Sequence, residues 1–233
     1  MGMKTIGLIG GMSWESSSEY YRLINQDMKA RLGGHRNARS IMATVCFEES
    51  MALQRAERWD ELATQMQQAA RQVEDGGADF VLLCTNTMHR VAPAIEDALN
   101  VPFVHIVDPT AEALRRAGLR RVGLLGTRFT MEQDFYVGRM RDVHGIDVVV
   151  PGDAERGLVH EVIYDELCHG VVRDDSRARY RRIIEGLRTR GAEGVILGCT
   201  EIPLLIGAED SPLPVFDTTM LHAQAAVTLA LHG

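Results

Sequence analysis

Lysine is nearly absent from this chain of 233 residues: of its 25 basic side chains, only Lys4 and Lys29 are lysines. Enzymes that use pyridoxal phosphate hold the cofactor as a Schiff base on a lysine. Lys4 lies at the start of the first predicted strand, and Lys29 lies at the polar end of a predicted helix. Neither is placed to anchor a cofactor, so the sequence argues against pyridoxal phosphate chemistry.

Cysteine is sparse as well. The four cysteines are Cys46, Cys84, Cys168 and Cys199, and no two of them have the C-x-x-C spacing of zinc ribbons or thioredoxin-type redox motifs. We therefore expect free thiols and no metal site. Free cysteine is often buried, and Cys46 and Cys168 are expected to be inert packing residues.

The sequence also lacks long apolar runs and dense basic runs. No apolar stretch approaches the roughly 18–20 residues that a membrane-spanning helix needs. The first residues show no secretory signal. The formal net charge is -7, whereas nucleic-acid or membrane-surface binding usually requires a concentrated basic face. We expect a cytoplasmic protein that binds neither nucleic acid nor membrane.

What the sequence does contain is a regular alternation of short apolar runs and amphipathic helices. Near-continuous runs of Val, Ile and Leu are typical of strands covered on both faces, and the βαβα order indicates an α/β fold with parallel sheets. Ser16 and Glu19 are spaced as a capping box for the first helix. The predicted strands are Thr5–Ile9, Ile41–Phe47, Asp79–Leu83, Val101–Ile106, Arg121–Leu125, Ile146–Val150, Gly194–Leu197 and Leu213–Phe216.

The two halves of the chain resemble each other. Four pairs of segments recur in the same order, between 112 and 116 positions apart, which indicates a duplicated four-strand unit. We therefore predict two pseudosymmetric lobes, each a four-stranded, mainly parallel sheet flanked by helices, with the active site in the cleft between them. The predicted N-terminal lobe covers residues 1–117 and the C-terminal lobe covers residues 118–217. The last helix, about residues 218–233, could pack back on the first lobe.

The duplication places Cys84 and Cys199 at equivalent positions, each directly after a buried strand. Ligands of open α/β sheets gather at the carboxyl ends of the strands. If the lobes face each other about a pseudo-twofold axis, the two thiols approach one cleft from opposite sides. Such a pair suits stereoinversion, in which one thiolate removes a proton and the other thiol delivers one from the far side.

Several motifs resemble the aspartate/glutamate racemase family, and the resemblance covers essentially the whole chain. The most specific pair is Cys84-Thr85-Asn86-Thr87-Met88-His89 with Gly198-Cys199-Thr200-Glu201. The other matching segments are Gly10-Gly11-Met12-Ser13-Trp14-Glu15-Ser16, Leu125-Gly126-Thr127-Arg128-Phe129-Thr130-Met131-Glu132 and Ile163-Tyr164-Asp165-Glu166-Leu167.

The resemblance implies a cofactor-independent amino-acid racemase, often a homodimer. Its catalytic cysteines fall on Cys84 and Cys199. The substrate contacts that it implies are Met12, Ser13, Thr85, Asn86, Thr87, Thr127 and Thr200.

The chain departs from the aspartate-specific members at two contacts. Those members carry an arginine after the second strand and a lysine near the Asp-Glu-Leu segment. Here the first region offers Gln54 or Arg55, and the second offers His169, which is only partly charged at neutral pH. This pattern favours the broad-specificity branch, which accepts neutral amino acids.

Other residues have roles that the sequence leaves open. His89 could hydrogen-bond locally, tune the Cys84 thiol or cap a turn, and Glu201 could position the second thiol or the substrate amine, or pair with an arginine. His222 shows no ligand spacing and is expected at a surface or boundary. Trp14 and Trp59 are expected to be packing anchors.

Two alternative functions also fit the sequence. Related folds decarboxylate malonates or isomerise maleate with cysteine pairs, so a cysteine-dependent decarboxylase or cis-trans isomerase of small dicarboxylic acids is the first alternative. The second is a two-lobed protein that binds a small acid without turnover.

Overall fold

The computed structural model describes residues 2–232, and these divide into two compact units. The first unit contains the chain up to Ile106 together with the residues from His222 onwards, and the second contains Val107–Leu221. None of the helices described has the length and apolarity needed to cross a bilayer.

The first unit is built on a four-stranded parallel sheet with the strand order β2-β1-β3-β4. On one face, α1 and α10 cover an apolar layer that includes Ile6, Leu8 and Ala226. On the other face, α3 and α4 cover a second layer. Its elements are β1 (Thr5–Gly10), α1 (Trp14–Leu32), β2 (Arg39–Thr44), α2 (Phe47–Arg55), α3 (Trp59–Asp75), β3 (Phe80–Leu83), a 3₁₀ turn (Thr87–Val91), α4 (Ala92–Ala98) and β4 (Phe103–Val104).

The second unit has the same topology. Its parallel sheet has the order β6-β5-β7-β8, which matches the first sheet strand for strand. Its elements are α5 (Val107–Arg116), β5 (Arg121–Gly126), α6 (Arg128–Glu132), α7 (Asp134–Asp142), β6 (Asp147–Val149), α8 (Asp153–Asp165), α9 (Asp174–Thr189), β7 (Val195–Gly198) and β8 (Val215–Asp217), with 3₁₀ turns at Leu167–His169, Ile202–Leu204 and Ala208–Asp210.

All eight predicted strands are present, and the α/β class with two matching parallel sheets is confirmed. The central strands β3 and β7 are buried along their whole length, as their continuous apolar sequences require. The second strand ends earlier than predicted, at Thr44, because the residues from Phe47 onwards form α2. The first helix begins earlier than predicted: Ser13 is its cap, and its side chain accepts a hydrogen bond from the Ser16 amide.

The limits of the two units differ from the lobe limits predicted from sequence, whose outer ends at residues 1 and 233 lie outside the described residues. The first limit falls before α5, because the buried face of that helix packs against α7 and β8. The second falls within the last helix, α10 (Thr218–His232), which the first unit includes from His222 onwards. There the backbone N–H of Lys4 donates to the carbonyl of Ala230 at 3.0 Å.

Candidate active site

In the first unit, Cys84 directly follows the carboxyl end of β3. Its backbone N–H continues the sheet by donating to the carbonyl of Ile9 at 2.9 Å, and its own carbonyl accepts a 2.6 Å hydrogen bond from the hydroxyl of Ser16. The side chain is fully buried, and that burial raises the thiol pKa far above its usual range. Burial therefore favours the thiol of Cys84 over its thiolate.

The residues after Cys84 are held by His89. The His89 ring lies with Nδ1 2.8 Å from the carbonyl of Thr85 and with Nε2 accepting from the backbone N–H of Ile106 at 3.2 Å. A carbonyl only accepts, so Nδ1 carries the proton and the ring is neutral. Burial and the neighbouring rings of His105 and His222 lower the His89 pKa. His89 thus fixes the loop that contains Thr85, Asn86 and Thr87, the last two of which are buried.

His222 belongs to the same buried group, and the expectation that it lies at a surface or boundary was wrong, because its side chain is fully buried. Its Nε2 lies 2.8 Å from the carbonyl of Val104, so Nε2 is the protonated nitrogen. Its Nδ1 accepts from the hydroxyl of Tyr20 at 2.8 Å. These contacts join α10, β4 and α1, which no local sequence pattern could have indicated.

The loop after β1 places the other predicted contacts of this unit. Met12 and Ser13 are both buried, and Ser13 caps α1. Gly11 has φ of 97°, and a Cβ there would lie 2.2 Å from the carbonyl oxygen of Val45, so the tight turn requires glycine. At the end of α2, Gln54 is buried whereas its neighbour Arg55 is exposed.

In the second unit, Cys199 directly follows the carboxyl end of β7, as Cys84 follows β3 in the first. Its Sγ donates to Oε2 of Glu201 at 2.9 Å, and the hydroxyl of Thr200 donates to the same oxygen at 2.6 Å. Both Cys199 and Glu201 are buried. Burial and the adjacent carboxylate together raise the Cys199 pKa far above its usual range.

The remaining predicted contacts of the second unit are divided between the interior and the surface. Thr127 is buried and caps α6, and its hydroxyl accepts from the Thr130 amide at 3.3 Å. His169 is exposed at the end of a 3₁₀ turn. Tyr180, which was not predicted, is fully buried; its hydroxyl donates to the carbonyl of Val159, and burial and the nearby Cys199 raise its pKa.

Two other expectations were wrong. Cys46 was expected to be buried but is exposed. Trp14 was expected to be a packing anchor but is 67% exposed. Within residues 2–232, no group of three or more His, Cys, Asp or Glu side chains is arranged to hold a metal ion.

The sequence profile of the Asp/Glu/Hydantoin racemase family matches residues 9–226. The chain belongs to this family. A solved Yersinia pestis protein provisionally named as an Asp/Glu racemase is 49% identical over 99% of this chain and 100% of its own, with a TM-score of 0.94. An aspartate racemase homologue from Pyrococcus horikoshii OT3 is 34% identical over 99% and 100% of the two chains, with a TM-score of 0.87.

Among curated relatives, the broad specificity amino-acid racemase RacX of Bacillus subtilis is 23% identical over 74% of each chain. The matches to curated glutamate racemases span only about half of the length of those proteins. The family places this protein among the racemases, which are isomerases.

Proposed function

We propose that this racemase-family protein interconverts the L and D forms of a free amino acid by proton transfer at Cα between Cys84 and Cys199, without pyridoxal phosphate or metal. The observation that carries the proposal is the equivalent position of the two cysteines. Cys84 follows β3 and Cys199 follows β7, two fully buried strands that hold the same place in their sheets. Both cysteines therefore lie at the strand end where α/β proteins bind ligands.

The proposed reaction moves one proton at a time and changes no oxidation state. As the Cα–H bond breaks, its proton forms an S–H bond on the cysteine that was a thiolate. The electron pair left on Cα then takes the proton of the other thiol from the opposite face, and that cysteine becomes the thiolate. The enzyme is therefore left in the mirror protonation state, ready to act on the other enantiomer.

Glu201 makes the two cysteines unequal. Burial alone raises the Cys84 pKa, whereas at Cys199 the carboxylate of Glu201 also repels the thiolate and accepts a hydrogen bond from the thiol. We therefore assign Cys199 as the proton donor and Cys84, which must first lose its own proton, as the proton acceptor. Glu201 acts through Cys199 as a positioning residue.

The substrate class that we propose is broad and includes neutral amino acids. The aspartate-specific pattern has a cation at two positions. At the first, this chain has Gln54, which is buried and uncharged. Near the second it has His169, which is exposed. The similarity to a broad specificity racemase supports this assignment.

The test is incubation of the protein with a panel of L-amino acids in heavy water, without added cofactor. We expect deuterium at Cα together with the D form. Cys84→Ser and Cys199→Ser should each reduce racemisation by about 10²–10⁴-fold, while the exposed Cys46→Ser control should retain wild-type activity.

Two outcomes would replace the proposal. Carbon dioxide release from a substituted malonate, without exchange of any amino acid, would identify a decarboxylase. Binding of a small acid that is unchanged by either serine variant, with no turnover, would identify a binding protein. Normal racemisation by either serine variant would eliminate the two-cysteine mechanism.

A further inference from the structure

The hydrogen-bond ladder between β1 and β3 ends at Cys84. The two strands are parallel and Ile9 is paired with Leu83, so Cys84 stands opposite Gly10. The backbone N–H of Cys84 donates to the carbonyl of Ile9 at 2.9 Å. In a parallel ladder a residue bonds to the residues before and after its partner on the other strand. The next bond would therefore run from the N–H of Gly11 to the carbonyl of Cys84.

Two adjacent serines in the first turn of α1 take the place of that bond. The hydroxyl of Ser17 accepts from the N–H of Gly11 at 2.8 Å, and the hydroxyl of Ser16 donates to the carbonyl of Cys84 at 2.6 Å. The Ser17 hydroxyl also donates to the carbonyl of Ser13 at 3.0 Å. Both Ser16 and Ser17 are buried. The serine pair therefore satisfies the backbone groups at the ends of β1 and β3 separately, and the ladder stops there.

The hydroxyl of Ser16 is available for this contact because another residue caps the helix. The sequence predicts Ser16 itself as the cap, whereas Ser13 holds that position and its hydroxyl accepts from the Ser16 amide at 3.2 Å. In the second unit the equivalent residue is Thr130, the third residue of α6 after its cap. The hydroxyl of Thr130 lies 3.2 Å from the hydroxyl of Thr127, the cap. The contact of Ser16 with Cys84 therefore distinguishes the two units.

Both backbone hydrogen-bonding groups of Cys84 are held, and this fixes the direction of its Cα–Cβ bond. Its N–H is bound to β1 and its carbonyl is bound to α1. The peptide unit between Cys84 and Thr85 is planar, so the bond to the carbonyl also fixes the Thr85 N–H, which points the opposite way. Proton transfer requires closely placed atoms, and a displacement of about 1 Å can reduce a rate by about 100-fold.

We infer that Ser16 is a positioning residue for the proposed reaction, because its hydroxyl sets the direction from which the Cys84 side chain meets the substrate Cα. Ser16 acts through the carbonyl of Cys84 and neither gives nor takes a proton of the substrate. Without the hydroxyl, that carbonyl loses its donor and the peptide unit between Cys84 and Thr85 can rotate. Proton transfer at Cys84 then becomes slower, whereas the transfer at Cys199 keeps its rate.

The kinetic test rests on the proposed function and uses the Cα-deuterated L and D forms of an amino acid that the wild type racemises. Ser16→Ala should lower kcat/KM by about 10–100-fold. Because only the transfer at Cys84 is slowed, the deuterium isotope effect on kcat/KM should rise for the enantiomer that gives its proton to Cys84 and fall for the other. Ser18→Ala, a matched change at the adjacent exposed serine, should alter neither the rate nor the isotope effects. A slower Ser16→Ala variant with unchanged isotope effects, or one with wild-type activity, would overturn the inference.

Amide hydrogen exchange, followed by mass spectrometry, tests the same contact without substrate. Ser16→Ala should exchange faster than the wild type in the peptide that contains residues 84–86, whereas Ser18→Ala should not. Ser16→Thr, which keeps a hydroxyl, should exchange like the wild type. Circular dichroism should show that all three variants are folded. A wild-type protein that racemises no amino acid would overturn the proposed function and leave this measurement valid, whereas unchanged exchange of that peptide in Ser16→Ala would overturn the role of Ser16.

Discussion

The hydroxyl of Tyr20 donates to Nδ1 of His222 at 2.8 Å, although 202 residues separate them along the chain. Both side chains are fully buried. The hydrogen bond joins the first helix to the last helix. With it, both ring nitrogens of His222 have a hydrogen-bond partner, since Nε2 donates to the carbonyl of Val104. The buried histidines beside the Cys84 loop are therefore held in place by contacts with both α1 and α10.

Removing the Tyr20 hydroxyl should destabilise the protein. In Tyr20→Phe the Nδ1 of His222 is left buried without its donor, which costs about 1–3 kcal/mol of unfolding free energy. The matched control is Tyr21→Phe, because Tyr21 is 53% exposed and its hydroxyl can be replaced by water. Urea unfolding of both variants measures the difference, and equal stabilities would show that the hydrogen bond contributes nothing.

The neutral His89 should make the protein sensitive to acid. Its pKa is lowered in the folded state, so below the unfolded value of about 6.5 the unfolded chain binds a proton that the folded chain does not. Stability should therefore fall as pH decreases from about 6.5 towards the lowered folded pKa. His89→Asn, which keeps a side-chain N–H donor but cannot titrate, should show a shallower loss.

The control for this pH dependence is His35→Asn, since His35 is an exposed histidine. Between neutral and mildly acidic pH, the urea midpoint of that variant should decrease as much as the urea midpoint of the wild type. If His89→Asn lost stability with acid as steeply as the wild type, other groups would be responsible.

The carboxylate of Glu201 should control the alkaline side of the activity profile. Glu201→Gln removes the charge that disfavours the Cys199 thiolate, so the Cys199 pKa should fall. If Cys199 must be protonated to donate, the descending limb of kcat/KM should move to lower pH, while the ascending limb, assigned to Cys84, stays in place. The measurement is the pH profile of racemisation. A profile that loses amplitude without moving would indicate a purely structural role.

Close packing of the strand ends beside Cys199 should make Gly198 intolerant of a side chain. A Cβ at Gly198 would lie 2.8 Å from Cδ1 of Leu124 and 3.1 Å from the carbonyl oxygen of Leu125. Gly198→Ala should therefore cost about 1–3 kcal/mol of stability. Gly186→Ala is the control: no atom lies within 4 Å of its Cβ position in α9, and it should stabilise by about 0.5–1 kcal/mol. Thermal unfolding distinguishes the two, and opposite signs are expected.

The fold class, the eight strands and the duplication could all be predicted from the amino-acid sequence. These depend on hydrophobic periodicity within segments of a few residues, and that signal is local. It is strong at β3 and β7, whose runs are wholly apolar, and weaker at β2, whose predicted end extended into α2. The equivalent positions of Cys84 and Cys199 along the two halves also follow from the sequence alone.

The surroundings of those residues could not be predicted in this way. Burial of Cys84, the hydrogen bond from Cys199 to Glu201 and the interior location of His222 all arise from packing between elements that are distant in sequence or from the conformation of a single turn. Trp14 shows the converse, because its position on α1 leaves it exposed despite its apolar character. A thiol pKa or a free surface is a property of neighbours in space, and local patterns of residue type do not encode those neighbours.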